Sequence, residues 1–280
     1  MRKPRTVLVL EGGGMKACYA NGVLSSFEEV GYAPWDAVYG TSAGGALAAW
    51  YSAGQARYPE RTWDYAADRR ILSYRRALTR RGPLLDHDAL LEIIYERERP
   101  IDQEALRRCR WPVIVTAVDI HSGATVYKDI RRGPIIPWLK ATGRLPFAAG
   151  EPVDIEGRQY LDGGIGDPIP VYKAVEDGAR DVTLVLNTPP GPRRKDNPAL
   201  ARWTARKYPA LRKGIVHHQE LKQAAIHYAE DPPKGVQVRI IRPDGPTGLH
   251  RLSRDLDAIR EGLRRGRADG RSFLRSLGRA

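Results

Sequence analysis

Residues 37–53 read AVYGTSAGGALAAWYSA, and this stretch decides the fold. Ala37–Tyr39 is a short apolar run that predicts a buried strand, and the alanine-rich run from Ala43 to Ala53 predicts a helix. Between them, Gly40-Thr41-Ser42-Ala43-Gly44 matches G-x-S-x-G, the nucleophile elbow, in which a serine projects from a tight strand-to-helix turn. The positive end of the helix would stabilise an alkoxide on that serine. We therefore predict that Ser42 is a nucleophile, against the alternative of a chance match in a chain with 28 glycines.

Apolar runs elsewhere in the chain have a similar length and are bounded by Gly, Pro or Asp, as buried parallel strands tend to be. The predicted strands are Thr6–Leu10, Ala37–Tyr39, Val113–Val118, Val182–Leu186 and Val236–Ile241. Helical patterns lie between them, near Cys18–Val30, Ala43–Ala53 and His87–Glu98. This alternation predicts an α/β fold in which a mostly parallel sheet is covered by helices on both faces.

A proline-rich, charged segment over residues 189–198 (PPGPRRKDNP) interrupts the pattern. We predict a catalytic domain over residues 1–188 and a basic C-terminal extension over 189–280 that packs on the same domain. The extension is expected to contain a helix ending near Ala229 and an amphipathic helix. The apolar stripe of the amphipathic helix would carry Leu252, Leu256, Ile259 and Leu263.

A glycine-rich loop follows the first predicted strand and reads Leu10-Glu11-Gly12-Gly13-Gly14-Met15-Lys16. Three consecutive glycines expose backbone amides that can form an oxyanion hole for a tetrahedral intermediate. The same residues with Ala17 also satisfy G-x-G-x-x-A, the dinucleotide-binding fingerprint, and Asp36 lies about 20 residues further on. The fingerprint explains neither Ser42 nor the motif around Asp162 that is described next, so we favour the oxyanion hole.

A candidate carboxylate lies in Tyr160-Leu161-Asp162-Gly163-Gly164-Ile165, after an expected hairpin over Pro152–Arg158. An aspartate followed by two glycines can present its carboxylate close to another backbone. Asp-Gly is also a common turn dipeptide, so an ordinary turn is the alternative when this motif is taken alone.

The three motifs in this order resemble the patatin-like phospholipase family, and the resemblance covers roughly residues 6 to 188. Smaller marks agree with it, namely Asn21-Gly22-Val23-Leu24 and Leu145-Pro146-Phe147, and Ile240-Ile241-Arg242-Pro243 is similar to the tail of a bacterial branch. The resemblance implies a three-layer α/β/α sandwich and a Ser42–Asp162 dyad that uses neither metal nor cofactor. It places the oxyanion hole at Gly12, Gly13 and Gly14, with Lys16, Gly40, Gly44, Gly163 and Gly164 in supporting positions. One departure is Ala17, because the family usually has glycine after the basic residue of the loop.

Histidine could still complete a triad, since His217, His218, His227 and His250 all follow Asp162 and give the order Ser…Asp…His. Nothing in their surroundings marks any of them, and we favour the dyad. The aromatic residues near the motifs are candidates for an acyl-binding pocket, with membership of the core as the alternative. They are Trp50, Tyr51, Trp138 and Phe147.

The net charge of +13 needs a partner or a solvated surface to account for it, and much of the excess follows residue 190. A basic face attracts anionic lipid head groups or nucleic acid, while a plain arginine-rich solvated surface is the alternative. From the resemblance we expect a lipid ester substrate. From the basic charge of an enzyme that must act on lipid aggregates we expect peripheral contact with an anionic membrane surface, and we expect no nucleic acid partner. Two cysteines and the lack of any apolar run near 20 residues predict a cytoplasmic protein without a transmembrane segment, with membrane association left open.

Three other functions stay open at this stage. An acyltransferase of related fold would use the same elbow but transfer the acyl group to an acceptor other than water. A nucleotide-binding protein would use the glycine loop. A non-catalytic module that binds lipid or nucleic acid would keep its function after removal of Ser42.

Overall fold

The computed structural model of the 280-residue chain describes residues 3–79, 81–97, 100–146, 148–191 and 198–279. The side chains of residues 198–200 and 203 lie outside the description, as do Phe147 and the charged cluster Arg193-Arg194-Lys195. One sheet runs through the described part. Its strands are β1 (Thr6–Leu10), β2 (Ala37–Gly40), β3 (Val113–Asp119), β4 (Thr125–Asp129), β5 (Val153–Ile155), β6 (Arg158–Asp162), β7 (Asp181–Val185) and β8 (Gln237–Ile241).

The sheet is mixed, with a parallel majority at its centre. Strands β3, β2, β1, β7 and β8 are neighbours in that order and run parallel, whereas β4, β5 and β6 join at β3 in antiparallel pairs. The five strands predicted from apolar runs are confirmed to within one residue at each end. The hairpin expected over Pro152–Arg158 forms, but its second strand continues to Asp162, and β4 was not predicted.

The pairing around β3 brings the ends of two strands together. β4 pairs with one edge of β3 along Ile114–Val118. β2 and β6 pair with separate parts of β3, each of which includes residues that also pair with β4, so both lie along the opposite edge. β2 ends where Gly40 pairs with Val115, and the antiparallel β6 ends where Asp162 pairs with Ala117. The C-terminal ends of β2 and β6 therefore meet head to head, two residues apart along β3.

Helices cover both faces of this sheet, which gives the expected α/β sandwich. On one face Leu8, Leu10 and Val38 join a large core, while on the other Val7 and Val9 join a smaller one, because alternate residues of a strand point to opposite faces. The helices are α1 (Cys18–Glu29), α2 (Ala43–Ser52), α3 (Pro59–Ala67), α4 (Tyr74–Leu78), α5 (His87–Glu92), α6 (Gln103–Arg108), α7 (Ile135–Thr142), α8 (Val171–Glu176), α9 (Pro198–Lys207), α10 (Arg212–Val216), α11 (His218–Glu230) and α12 (Leu256–Ser276).

The long C-terminal helix α12 packs on α1 through glycines. A Cβ atom at Gly266 would lie 2.0 Å from the Tyr19 carbonyl oxygen, and one at Gly22 would lie 2.1 Å from the Leu263 carbonyl oxygen. The two helix backbones therefore approach more closely than any side chain would allow. Together with the pairing of β8 and β7, this contact places the C-terminal elements in the same sheet and core as the N-terminal ones. The domain division at residue 188 stays a prediction.

Two predicted helices differ in extent from those in the structure. α5 ends at Glu92 and continues as a π-helical turn over Ile93–Arg97, whereas one helix was expected over His87–Glu98. α12 begins at Leu256 because the Asp255 carboxylate accepts a hydrogen bond from the Ala258 amide and caps it. The prediction that Leu252 belongs to this helix is therefore wrong. None of the helices in the described ranges is both long and apolar enough to cross a bilayer.

Candidate active site

Ser42 occupies a strained turn between β2 and α2. Its φ of 56° and ψ of −128° are rarely adopted by a residue with a side chain, and such strain costs on the order of 1–3 kcal/mol. The turn is tight because a Cβ atom at Gly40 would lie 2.5 Å from the Gly44 carbonyl oxygen. A Cβ atom at Gly44 would lie 2.6 Å from the Glu11 carbonyl oxygen. The two flanking glycines therefore let the elbow fold against the glycine loop.

The structure brings Ser42 and Asp162 together. The Ser42 hydroxyl donates a hydrogen bond of 2.7 Å to Asp162 Oδ2, and the Gly164 amide donates one of 2.7 Å to Oδ1. Asp162 is the last residue of β6 and caps the short turn Gly163–Ile165, so its carboxylate is fixed on both oxygens. A side chain at Gly163 would collide with Thr116, whose hydroxyl oxygen would lie 2.0 Å from its Cβ atom.

The Asp162 carboxyl is only 2% exposed, and this burial raises its pKa from 3.8 to about 6. Three interactions act in the opposite direction, namely the hydrogen bonds from Ser42 and Gly164 and the positive charge of Arg251. At neutral pH the carboxyl is therefore ionised, with a proton affinity close to that of a histidine.

Three threonine hydroxyls form hydrogen bonds at the elbow. The Thr142 hydroxyl, at the end of α7, accepts a hydrogen bond of 2.9 Å from the Ser42 amide. The Thr41 hydroxyl donates to the Asp167 carbonyl at 2.9 Å and accepts from the Thr116 hydroxyl at 2.8 Å. Sequence reasoning did not find these threonines, because single threonines carry no spacing signal.

The glycine loop lies beside Ser42, since a Cβ atom at Gly12 would lie 3.2 Å from the Ser42 Cβ atom. The Gly12 amide, however, donates to the Pro168 carbonyl at 3.2 Å. Gly12 was predicted to donate to an oxyanion, and its amide is already engaged within the fold. Within the described part of the chain, no acceptor is bonded to the amides of Gly13 and Gly14, and these two remain as candidate donors.

A buried ion pair holds the start of this loop. The Glu11 carboxylate lies 2.5 Å from Lys222 Nζ and accepts a hydrogen bond of 2.5 Å from the Asn187 amide. Burial alone would raise the pKa of Glu11, but Lys222 and Lys16 hold it below its ordinary value, so the carboxylate stays charged. Lys16 Nζ also donates to the Thr188 hydroxyl at 2.8 Å. The predicted supporting residue Lys16 therefore belongs to this buried charge cluster.

The C-terminal part of the chain adds a wall to the site that sequence reasoning missed. The Met15 amide donates to the Arg251 carbonyl at 3.0 Å, and a Cβ atom at Gly14 (φ +55°) would lie 2.3 Å from the same oxygen. His218 Nδ1 lies 2.8 Å from the Gly164 carbonyl oxygen, and its Nε2 is bonded to the Arg251 guanidinium. No local pattern marks these residues, because their partners lie at least 33 positions away in the sequence.

The histidine alternative loses support from these contacts. Both ring nitrogens of His218 are engaged away from Ser42, and burial together with Arg251 lowers its pKa to about 3. His217 pairs instead with Glu220 at 2.7 Å. Within the described residues, no histidine is hydrogen-bonded to Ser42 or Asp162.

The dinucleotide alternative also loses support, because its acidic residue has a structural partner. The Asp36 carboxylate accepts hydrogen bonds of 2.9 Å from the amides of Arg5 and Thr6 at the start of β1.

In the described ranges, no three His, Cys, Asp or Glu side chains are grouped as they would be around a metal ion.

Two cavities meet at Ser42. One, of about 170 Å³, is lined by the glycine loop, Asp162 and the C-terminal residues His218, Lys222 and Arg251. The other, of about 130 Å³, is apolar and includes Trp50, Trp63 and Leu252. Residues shared by both cavities are Gly14, Ser42, Leu145 and Arg251.

Of the other aromatic candidates, Tyr51 and Trp138 belong to the core. The Tyr51 hydroxyl accepts a hydrogen bond of 3.0 Å from the Trp35 indole, and Trp138 packs against Tyr160 with ring centroids 4.9 Å apart. Trp50 is therefore the only one of the three described candidates that lines a cavity next to Ser42.

Known proteins resemble this chain along most of its length. The uncharacterized protein YjjU of Escherichia coli is 28% identical over 286 residues, which cover 98% of this chain and 78% of that protein. The uncharacterized NTE family protein Rv1063c of Mycobacterium tuberculosis is 26% identical over 213 residues, which cover 72% of this chain and 55% of that protein. In the solved structure of VipD from Legionella pneumophila, the match covers 98% of this chain and 67% of that one, at 13% identity and a TM-score of 0.45.

Two family models match successive parts of the sequence. Residues 208–280 match a domain of unknown function, DUF6363. Residues 8–175, more than half of the chain and including the glycine loop, the elbow and Asp162, match the model of the patatin-like phospholipases. The chain belongs to the patatin-like phospholipase family.

Proposed function

We propose that this protein hydrolyses carboxylic esters of lipids, with Ser42 as nucleophile and Asp162 as general base. The observation that carries the proposal is the 2.7 Å hydrogen bond from the Ser42 hydroxyl to Asp162 Oδ2 at the meeting point of two cavities. Membership of a phospholipase family supports a lipid hydrolase. The protein is proposed to need no histidine in this step.

In the first half of the reaction, Asp162 accepts the Ser42 proton as Oγ attacks the ester carbonyl carbon. The negative charge on the carbonyl oxygen of the tetrahedral intermediate is stabilised by the amides of Gly13 and Gly14, and the start of α2 adds its positive end. The intermediate collapses when the C–O bond to the alcohol breaks, and Asp162 returns the proton to the leaving alkoxide. Ser42 is then acylated.

In the second half, water replaces the alcohol. Asp162 accepts a proton from that water, its oxygen attacks the acyl carbon, and collapse of the second intermediate breaks the bond to Oγ. Ser42 regains its proton from Asp162, and the fatty acid leaves. Because the same carboxylate acts as base and acid in turn, a proton affinity near neutral pH serves both directions.

The two cavities suggest where each part of the substrate binds. The apolar cavity beside Trp50 and Trp63 suits the acyl chain, because it removes hydrocarbon from water. The other cavity, which contains Arg251 and Lys222, suits the polar alcohol part. Lipid esters lie in aggregates, so we also propose peripheral contact with an anionic membrane surface from the cytoplasmic compartment.

A fluorophosphonate ester probe tests the nucleophile. The wild-type protein should be labelled covalently and should hydrolyse p-nitrophenyl butyrate, whereas Ser42→Ala should do neither. Ser276→Ala, at an exposed serine near the end of α12, is the matched control and should behave as wild type. Substantial turnover by folded Ser42→Ala protein would refute the proposal. Acyl transfer to an added alcohol in preference to water would indicate an acyltransferase instead.

A further inference from the structure

The lipid contact proposed above needs a surface that lies next to the acyl cavity, and the described arginines of α12 do not provide one. Most of the described arginines of α12 pair within the protein: Arg264 with Glu261, Arg265 with Asp244, Arg267 with Glu60, and Arg271 with Glu29. Such pairs leave little net field for a membrane. The expectation that the basic excess after residue 190 serves this purpose therefore loses its structural basis in the described part of α12.

A different segment combines positive charge with exposed apolar side chains. Residues 69–85 read RRILSYRRALTRRGPLL, with six arginines and no acidic residue. At its centre lies α4, whose Leu78 is 86% exposed and whose Tyr74 is 51% exposed. An isolated exposed leucine is ordinary, but exposed apolar side chains beside arginines are also the combination by which amphipathic segments bind a lipid interface.

Some of these arginines hold the segment in its conformation through hydrogen bonds, and others are available to bind ligands. Arg76 donates to the carbonyls of Pro83, Arg70 and Ile71 at 2.8–2.9 Å and thereby holds the segment as a closed loop. Arg70 pairs with Asp68 at 2.9 Å. Arg69, Arg75 and Arg81 are exposed, and in the described structure no carboxylate lies within 4.0 Å of their guanidinium groups.

The loop borders the apolar cavity. Leu72 and Leu85 at its base bridge to each other, and both line that cavity. The Tyr74 hydroxyl donates to the Leu252 carbonyl at 3.4 Å, and Leu252 lines the cavity as well. A lipid that left a membrane beside Leu78 would thus enter the cavity that ends at Ser42.

We infer that the described part of the α4 loop, residues 69–79 and 81–85, docks on an anionic lipid surface, with Leu78 and Tyr74 entering the interface and Arg69, Arg75 and Arg81 binding head-group phosphates. This inference rests on the proposed function, since it identifies the side from which the lipid substrate would enter the site. Leu78 adds apolar burial, and each free arginine adds attraction to anionic lipid that is screened by salt.

Vesicle sedimentation tests the inference with full-length protein in a Ser42→Ala background, so that no lipid is consumed. Vesicles of phosphatidylcholine with phosphatidylglycerol should bind more tightly than vesicles of phosphatidylcholine alone, and salt should weaken the binding. Arg75→Gln together with Arg81→Gln should weaken it about 25-fold, at about fivefold for each charge. Leu78→Ser should weaken it about tenfold.

The matched control removes the same charge elsewhere. Arg275→Gln together with Arg279→Gln changes two exposed arginines near the far end of α12, a helix about 30 Å long. This variant should bind vesicles as wild type does. Equal losses in the two double variants would overturn the inference in favour of a general charge effect. Unchanged binding by Leu78→Ser would overturn it too, and tight DNA binding that depends on Arg75 and Arg81 but not on Leu78 would indicate a nucleic-acid surface.

Hydrolysis of soluble p-nitrophenyl butyrate separates this inference from the proposed function. With Ser42 restored, the α4-loop variants should keep wild-type rates on this monomeric ester and lose rate only on vesicles. If wild type hydrolyses no ester, the proposed function fails, while the binding experiment in the Ser42→Ala background still decides whether the α4 loop binds lipid. If the variants hydrolyse vesicle lipid at the wild-type rate, the inference fails and the esterase stands.

Discussion

Replacing Asp162 by asparagine removes one buried negative charge and leaves the side-chain shape almost unchanged. The pKa of this carboxyl is about 6 in the folded protein and near 3.8 when exposed. Each tenfold difference in proton affinity corresponds to about 1.4 kcal/mol, so ionisation of Asp162 costs the folded state about 3 kcal/mol at neutral pH. Asp162→Asn should therefore be more stable than wild type by up to about 3 kcal/mol while losing about 10²–10⁴ in hydrolysis rate with its general base.

The pH dependence of this stability gain gives the decisive measurement. Between about pH 4 and 6 the folded wild type binds a proton that the unfolded chain has lost, so its stability falls as pH rises through this window. The asparagine variant has no such proton, and its advantage should be absent near pH 4 and complete above pH 7. Denaturant unfolding at both pH values measures it, with Asp231→Asn, an exposed position after α11, as a control expected within about 0.5 kcal/mol of wild type. An asparagine variant less stable than wild type at pH 7, or a gain independent of pH, would refute the reasoning.

The remaining predictions concern the elbow at Ser42, the C-terminal residues Arg251 and His218 beside it, and the contact between α1 and α12. Ser42→Gly and Ser42→Ala should both be inactive. In thermal unfolding the glycine variant should be more stable than the alanine variant by about 1 kcal/mol, because glycine adopts positive φ without strain. The pH–rate profile of wild type should fall on the acid side of about pH 6, and Arg251→Gln should move that limb to higher pH, because its charge favours ionised Asp162. His218→Ala should leave most p-nitrophenyl butyrate hydrolysis and the same acid limb, whereas a loss equal to that of Ser42→Ala would restore the triad. Gly266→Ala should lower the denaturation midpoint strongly, since its Cβ atom would lie 2.0 Å from the backbone of α1, and an unchanged midpoint would mean that the helix pair is looser than described.

Local sequence patterns predicted the elements that are defined by their own residues. β1 and β7 are apolar runs between polar neighbours, and the elbow at Ser42 requires glycines at fixed offsets, so each can be recognised without knowledge of the rest of the chain. β4 was missed because it is half-buried throughout and includes charged residues, which gives no apolar run. α12 was misread at its start because its buried face is largely glycine, so the leucines alone suggested a longer stripe.

The arrangement of the candidate site depends on pairings that no local pattern encodes. The motif around Asp162 identified a candidate carboxylate, but its distance from Ser42 follows from β2 and β6 ending next to each other along the same edge of β3. Gly12 was grouped with its neighbours because all three glycines look alike in sequence, and only the Pro168 carbonyl distinguishes it. Arg251 contributes through its backbone carbonyl to Met15, and any residue type would provide that oxygen.

The proposed dyad depends on the exclusion of water around Asp162, and here the C-terminal residue Arg251 acts together with the strand ends that hold Ser42 and Asp162. An exposed aspartate is a poor base for a serine hydroxyl, because its pKa lies far below the operating pH. Burial raises the pKa of Asp162 to about 6, close to the value near 6.5 of the histidine it replaces. Burial without compensation would raise it further and leave the carboxyl protonated, and hydrogen bonds from Ser42 and Gly164 with the charge of Arg251 prevent this. A change that admits water to Asp162 should therefore weaken the base even if it leaves the 2.7 Å hydrogen bond in place, because the proton affinity needed for catalysis comes from exclusion of solvent as well as from contact with Ser42.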